Sequence, residues 1–246
     1  MKRLFCLLLA AVLCAMAYFP VTASAAKYAV SGTDMTVELD DSQWYVFTRD
    51  NVKDNPELEE FGLTEEDMNK IFRDNYAYMD AILFYVDVDY VELFVRKKAV
   101  DSGMVNLSNY DDDEVEELTE ELAKKQGAED YEVFETRYKF AKLEYVDESL
   151  GYYLCEFFTV VNKEGYTLTF QSTFPYTDAE YEEIERIVRS VRFDVDESLK
   201  EKKPLTVNIL RTTAVGAVVG GAAGGVMALI NKKKKKARNT DEVTPV

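Results

Sequence analysis

Runs of apolar residues along the chain, some continuous and some alternating with polar residues, predict a strand-rich domain between residues 27 and 195. Alternation with period two is typical of a half-buried strand, and a short continuous apolar run is typical of a buried one. The clearest hairpin joins residues 152–161 to residues 166–174 through a turn at 162–165. The other strand patterns cover residues 27–31, 35–39, 44–48, 81–88, 90–96, 131–138, 139–145 and 192–194.

The second arm of that hairpin has two unlike faces. One face is apolar, and the other carries Thr167, Thr169, Gln171 and Thr173. Because successive side chains of a strand point to opposite faces of the sheet, we expect this polar face to be wet or only lightly covered.

Three helices are predicted from capping residues followed by apolar residues at helical spacing. The first follows Thr64, the second is capped by Asp112 or Asp113 and ends before Gly127, and the third follows Thr177. The buried face of the first helix is predicted to contain Met68, Ile71, Phe72 and Tyr76. The order of strands and helices predicts an α+β fold, in which helices pack on one antiparallel sheet.

The first 25 residues have the pattern of a secretory signal peptide. A basic start at residues 1–3 precedes an apolar stretch at residues 4–19, and small residues follow at Ala23 and Ala25. This order predicts cleavage after Ala25, which would place the domain of residues 27–195 outside the cytoplasm. An uncleaved N-terminal anchor is the alternative.

A second apolar segment predicts one C-terminal transmembrane helix, over about residues 207–230, after a charged linker at 196–206. The 19 positions from Thr212 to Ile230 contain no charged residue, and a helix of that length rises ~28 Å, close to the ~30 Å apolar core of a bilayer. The basic residues that follow are Lys232, Lys233, Lys234, Lys235, Lys236 and Arg238. Lys and Arg are enriched on the cytoplasmic side of membrane helices, so we expect the tail, residues 231–246, to be cytoplasmic.

The predicted membrane helix contains glycines at a spacing of four. They are Gly216, Gly220 and Gly224 in one series and Gly221 and Gly225 in another. Small residues at this spacing let two helix backbones approach closely, and the pattern resembles a glycine zipper. It predicts association of the helix with itself or with another membrane protein. The alternative is a simple anchor, because glycine is common in membrane helices.

The predicted extracytoplasmic part is strongly acidic. Residues 27–204 contain 20 Lys and Arg against 44 Asp and Glu, a net charge of −24. This charge repels nucleic acid and favours cations or basic partners. Cys155 is the one cysteine left after the predicted cleavage, and its place in an apolar run predicts a small buried side chain.

Most catalytic and metal sites need residue types that this chain lacks. It has no histidine, which removes Ser/His/Asp and Cys/His catalysis and the usual zinc sites. The densest acidic run starts at Asp111. It would place Glu116, rather than glycine, at the sixth position of an EF-hand loop, so it favours an acidic helix start over a calcium site. We expect no enzyme activity, no cofactor and no metal.

Two segments of the domain resemble a known family. Residues 35–39, MTVEL, lead through a turn to residues 44–46, WYV, and residues 165–193 read GYTLTFQSTFPYTDAEYEEIERIVRSVRF. They are similar to the opening and the end of PsbP/Mog1-like domains, in particular secreted bacterial members. Over residues 30–195 the resemblance implies an α/β/α sandwich, an extracytoplasmic setting, no catalytic activity and binding to other proteins.

The sequence therefore predicts a membrane-anchored, extracytoplasmic binding module whose ligand is a protein or a small molecule. One alternative is a subunit of a membrane assembly that associates through its glycine-rich helix. Another is a hydrolase that uses paired carboxylates, which would need two acids at a fixed separation, one of them with a raised pKa.

Overall fold

The computed structural model describes residues 25–85, 89–100 and 103–199. Its strands, in chain order, are β1 (Ala25–Ala29), β2 (Met35–Asp40), β3 (Trp44–Thr48), β4 (Ala77–Phe84), β5 (Tyr90–Ala99), β6 (Asp130–Glu135), β7 (Lys139–Asp147), β8 (Tyr152–Val161), β9 (Glu164–Ser172) and β10 (Arg192–Phe193). Its helices are α1 (Glu57–Phe61), α2 (Glu65–Asp74), α3 (Asp112–Gln126) and α4 (Asp178–Ser190), with a 3₁₀ helix at Leu107–Asn109.

The strands form two antiparallel sheets. The main sheet has seven strands in the order β3-β4-β5-β9-β8-β7-β6, and the small sheet has the order β1-β2-β10. Neighbouring strands in both sheets are antiparallel. This confirms the predicted α+β class with antiparallel strands and packed helices, but the prediction of one sheet is wrong, because β1, β2 and β10 form a second sheet.

One face of the main sheet, here called the inner face, packs against the small sheet and α4. Leu39 of β2, Phe157 of β8, Phe170 of β9 and Ile187 of α4 are fully buried in one apolar cluster. The predicted apolar face of α4 is therefore confirmed, and the burial of its side chains holds the two sheets together.

The opposite face, here called the outer face, is covered in two places. Side chains of α1 and α2, among them Phe61 and Phe72, form one cluster with residues of β3, β4 and β5. Side chains of α3, among them Leu118, form another cluster with residues of β7 and β8. The middle of the outer face, on β5, β9 and β8, lies between these two clusters.

Local signals predict the helix starts well. Thr64 and Asp67 form the predicted capping box of α2, and Glu180 accepts a hydrogen bond from the backbone N–H of Thr177 at 2.6 Å before α4. The cap of α3 is Asp111 rather than Asp112 or Asp113, because its carboxylate accepts from the N–H of Glu114 at 2.9 Å.

Two predictions around β4 are wrong. Tyr76, expected on the buried face of α2, follows the helix with φ = +53° and is 76% exposed. This left-handed residue turns the chain directly into β4 (Ala77–Phe84), so the predicted strand of residues 81–88 starts four residues too late. Residues 86–88 lie outside the described residues. The short helix α1 has no counterpart in the prediction.

The turn between β8 and β9 is shorter than predicted. Asn162 and Lys163 form it alone, with φ of 54° and 66°, whereas Glu164 and Gly165 already pair with β8. Two central residues with positive φ match the twist of the flanking strands, so the chain reverses within two residues.

Candidate functional site

Seven polar side chains cross the middle of the outer face. This polar belt consists of Asp80, Glu92, Arg96, Tyr145, Glu156, Thr169 and Gln171. Cross-strand pairing brings them together, since Glu92 lies opposite Gln171 and Glu156 lies opposite Thr169. Thr169 is fully buried and Gln171 is 6% exposed, so the prediction of a wet or lightly covered face is wrong at both positions.

Asp80 and Glu92 form a buried pair of carboxyl groups in this belt. They lie diagonally on neighbouring strands, because Asp80 is opposite Phe94 and Glu92 is opposite Ile82. Their carboxyl groups are in hydrogen-bonding contact, and the two residues are 0% and 1% exposed.

Few hydrogen-bond donors reach the carboxyl oxygens of Asp80 and Glu92. Gln171 Nε2 donates to Glu92 Oε2 at 2.8 Å. Apart from the contact between the two carboxyl groups, no N–H or O–H group of the described residues donates to either oxygen of Asp80 or to Glu92 Oε1. A contact between two carboxyl groups is a hydrogen bond only while one of them is protonated, and the burial of the pair with so few donors favours a proton on it.

The electrostatics of the pair agree with this geometry. Burial raises the pKa of Asp80 to about 7, although the contact with Glu92 opposes the rise. Burial, followed by the negative charge of Asp80, raises the pKa of Glu92 well above its usual range. The two groups titrate together, and one proton stays on the pair at neutral pH.

The rest of the polar belt is an internal ion-pair network. Thr169 Oγ1 donates to Glu156 Oε1 at 2.7 Å, and Arg96 Nη2 donates to Thr169 Oγ1 at 3.0 Å. Arg96 Nη2 also lies 3.8 Å from Glu156 Oε1. Burial and the charge of Glu156 raise the pKa of Tyr145, so its hydroxyl stays neutral. These contacts favour a structural role for this half of the belt.

A second polar network lies at the edge of the inner face. Lys142 Nζ lies 2.8 Å from Glu132, 3.1 Å from Glu144 and 3.8 Å from Glu185. Burial lowers the pKa of Lys142, but its hydrogen bonds to Glu132 and Glu144 raise it above the usual range, so the side chain stays charged. Cys155 is fully buried nearby, as predicted, and burial raises the pKa of its thiol.

Two grooves of the domain lie at opposite edges of the main sheet. A groove of about 460 Å³, here the β3 groove, lies at the β3 edge and is lined by Asp41, Ser42, Gln43, Trp44, Tyr45, Glu57, Leu83 and Phe84. A groove of about 400 Å³, here the α3–β6 groove, lies at the other edge and is lined by Asp112, Glu116, Thr119, Tyr131, Glu132, Val133 and Glu135.

The two edges differ in their backbone. Along β3, Asn51 Nδ2 donates to the carbonyl of Val46 at 2.8 Å, and Asn51 Oδ1 accepts from the N–H of Thr48 at 2.6 Å. One side chain thus satisfies two backbone groups of this edge. β6 is the last strand of the main sheet, and no strand of the described parts of the chain pairs with its free edge. At the end of β6, Arg189 donates to the carbonyl of Glu135.

The α3–β6 groove is acidic and partly aromatic. Asp112, Glu116, Glu132 and Glu135 supply four carboxylates. Lys139 and Lys142 pair with Asp112 and Glu132, so a net negative charge remains. Tyr131, which is 42% exposed, offers a ring beside these charges.

Most site residues predicted from the sequence lie outside the described residues. These are Ala23, Gly216, Gly220, Gly221, Gly224, Gly225, Lys232, Lys233, Lys234, Lys235, Lys236 and Arg238. Ala25 is the first residue of β1 and pairs with Asp40. Among the described helices, none is both long and apolar enough to cross a bilayer.

The acidic run from Asp111 forms the cap and the first turn of α3, where the helix dipole favours negative charge. In the described segments, no group of three Asp, Glu, Cys or His side chains is arranged to hold a metal ion. No protein-family model matches this chain, and no curated protein is significantly similar to it.

No local pattern in the sequence pairs Asp80 with Glu92. The available signal is one acid inside each of two apolar runs, MDAILF at residues 79–84 and YVELFV at residues 90–95. A charge in a buried strand needs a partner or a proton, so these two positions could have been paired once the hairpin register was known.

Proposed function

We propose that this protein is a non-catalytic binding module, held outside the cell membrane by the helix predicted at residues 207–230. Its binding surface is the α3–β6 groove, and its ligand is an extended, basic segment of a partner polypeptide. The observation that carries this proposal is an edge of β6 with which no described strand pairs, beside an acidic groove.

An open strand edge supports this choice of ligand. Unpaired N–H and C=O groups along an edge are a template for another strand, and several peptide-binding domains use such an edge. The β3 edge is the poorer template, because Asn51 already bonds Val46 and Thr48 there.

The charge of the groove supports a basic ligand. Glu116 and Glu135 are exposed in the α3–β6 groove, where Lys or Arg side chains of an added strand could reach them. The net charge of −24 over residues 27–204 would also steer a basic partner toward the domain. The resemblance to PsbP/Mog1-like domains supports binding to a protein.

The test is a titration of the full-length protein in detergent micelles with a synthetic peptide of alternating lysine and threonine. We expect saturable binding that weakens with salt. The Glu116→Lys/Glu135→Lys variant should bind at least about tenfold more weakly, the equivalent of ~1.4 kcal/mol.

The matched control is Glu59→Lys/Glu148→Lys, which makes the same charge change at two exposed positions away from the groove. A peptide of alternating glutamate and threonine tests whether binding requires a positively charged ligand. If the control variant loses affinity as much as the groove variant, the binding is a response to net charge, and the proposed surface is wrong.

A second candidate is a subunit of a membrane assembly, and the glycine spacing at Gly216, Gly220 and Gly224 favours it. Self-association in detergent that is lost in Gly220→Ile/Gly224→Ile would support this function. A hydrolase is less well supported, because the Asp80–Glu92 pair has the raised pKa values but is buried and lines neither groove.

A further inference from the structure

The Asp80–Glu92 pair lies beneath the segment that carries α1 and α2. In the outer face, Asp80 sits in one cross-strand row with Phe47 and Phe94. Leu58 and Phe61 of α1 and Met68, Ile71 and Phe72 of α2 pack in the same cluster as these two phenylalanines. Solvent can therefore reach the pair only if this apolar cover moves or the strands separate.

Among the described residues, few charged groups face the pair. Tyr90 of β5 approaches it, and its hydroxyl donates to the hydroxyl of Tyr152 on β8 at 3.1 Å. From β9 the neighbour is the neutral Gln171. Arg96, on the same face of β5, is separated from Glu92 by Phe94 and bonds Thr169 instead. From β3 the facing residues are Phe47 and Tyr45.

The side chains that α1 and α2 turn toward the sheet carry no charge. Leu58, Phe61, Met68, Ile71 and Phe72 are buried, whereas Lys70, Asp74 and Arg73 lie on the exposed side of α2. No cation of the described residues donates to Asp80 or to Glu92 Oε1. A second negative charge on the pair would thus have neither water nor a cation to stabilise it.

We propose that the Asp80–Glu92 pair is a pH-sensitive latch, which holds the α1–α2 segment on the sheet while the pair keeps a proton and releases the segment when that proton is lost. During a brief opening of the α1–α2 cover, water reaches the pair, the O–H bond of one carboxyl breaks and the proton goes to that water. The two carboxylates then repel each other and stay hydrated, which keeps the cover open.

The α1–α2 cover opens, rather than the sheet, because it is held to the sheet by fewer interactions than those that hold β4 and β5 in it. α1 has five residues, and the connection from α2 to β4 runs through Tyr76, a non-glycine residue with positive φ. In contrast, β4 and β5 are bonded to each other and to β3 and β9. Opening the cover leaves these backbone hydrogen bonds intact.

The test is hydrogen exchange of full-length protein in detergent micelles at a series of pH values, with rates corrected for the intrinsic pH effect. We expect the protection of residues 57–74 to fall by up to about tenfold per pH unit for one released proton, while the protection of α3 and α4 stays constant. Equal pH dependence in α1–α2 and α3 would overturn the proposal.

Asp80→Asn provides the matched variant, because its amide can donate to Glu92 at every pH. It should keep α1–α2 protected across the whole range, whereas Asp50→Asn, a change at an exposed position, should behave like the wild type. An Asp80→Asn protein with the wild-type pH dependence would contradict the latch.

If Asp80→Asn does not fold, an infrared measurement on the wild-type protein tests the latch by itself. The infrared signal of a protonated carboxyl should persist at roughly pH 6, well above the ordinary carboxyl pKa, and should disappear in parallel with α1–α2 protection. A protein without this signal at that pH has no proton on the pair, and the latch does not exist.

Discussion

The hydroxyl of Tyr138 forms hydrogen bonds with both the backbone N–H and the backbone carbonyl of Phe193. It accepts from the N–H of Phe193 at 2.9 Å and donates to the carbonyl of Phe193 at 3.4 Å. The two rings pack edge to face with centroids 5.0 Å apart. Since Tyr138 lies between β6 and β7 and Phe193 is in β10, this contact joins the main sheet to the small sheet.

Removing that hydroxyl tests the join between the sheets. Tyr138→Phe leaves a buried N–H and C=O without a partner, so we expect the free energy of unfolding to fall by about 1–3 kcal/mol. Tyr131→Phe removes a hydroxyl from an exposed ring and should change stability by less than ~0.5 kcal/mol. Urea unfolding of the two variants measures both values, and equal stabilities would show that Tyr138 does not anchor β10.

The Asp80–Glu92 pair should make the fold less stable as pH rises. Both pKa values are higher in the folded than in the unfolded state. Between the ordinary carboxyl pKa of about 4 and the folded value of about 7 for Asp80, the folded protein therefore holds more protons than the unfolded chain. The free energy of unfolding falls across this interval and continues to fall while Glu92 titrates.

Asp80→Asn should remove most of this pH dependence. Lowered pKa values at Asp40, Asp74 and Asp196 act in the opposite direction below the ordinary carboxyl pKa, and they are common to both proteins. Thermal unfolding from pH 4 to 9 compares the variant with the wild type. Parallel curves for the two proteins would exclude a contribution from the pair.

The Lys142 side chain should contribute far more to the stability of the fold than lysines in exposed ion pairs. Lys142→Met leaves Glu144 and Glu132 next to each other without a cation, and we expect a loss of about 2–3 kcal/mol. Lys124 pairs with Glu120 on the exposed side of α3, so Lys124→Met should cost less than ~0.5 kcal/mol. Denaturant midpoints distinguish the two variants, and similar losses would contradict the role assigned to the buried network.

Asn51 should protect the β3 edge from pairing with other chains. Asn51→Ala exposes the N–H of Thr48 and the carbonyl of Val46, so we expect self-association at high protein concentration. Asp50→Ala, at the preceding exposed position, is the control. Sedimentation of both variants reports the association, and a monomeric Asn51→Ala protein would show that the edge is closed by other means.

The helices and strands of this fold can be predicted from the sequence because the capping residues and apolar patterns that mark them each lie within one element. Thr64, Asp67 and Thr177 mark helix starts through contacts within one turn of the chain. The apolar run at residues 152–161 and the alternation along residues 166–173 each lie within one strand. Tyr76 is the exception, because its left-handed conformation depends on how the chain enters β4.

The site is harder to predict because it depends on strand order. The meeting of Asp80, Glu92 and Gln171 requires β4, β5 and β9 to be neighbours in one register. The polar face of β9 is buried only because the neighbouring strands supply partners for it. Likewise, the open edge of β6 exists because β6 is the last strand of the main sheet, and no residue of β6 signals this by itself.

The most direct test of the proposed binding surface is photo-cross-linking in intact cells that express the full-length protein. p-Benzoylphenylalanine replaces Tyr131 in the α3–β6 groove or, as the control, Tyr76, which is exposed beside α2. We expect cross-links from position 131 to a Lys/Arg-rich segment of a partner, and their loss with Glu116→Lys/Glu135→Lys. The same cross-links from both positions, or links to segments without basic residues, would contradict this expectation.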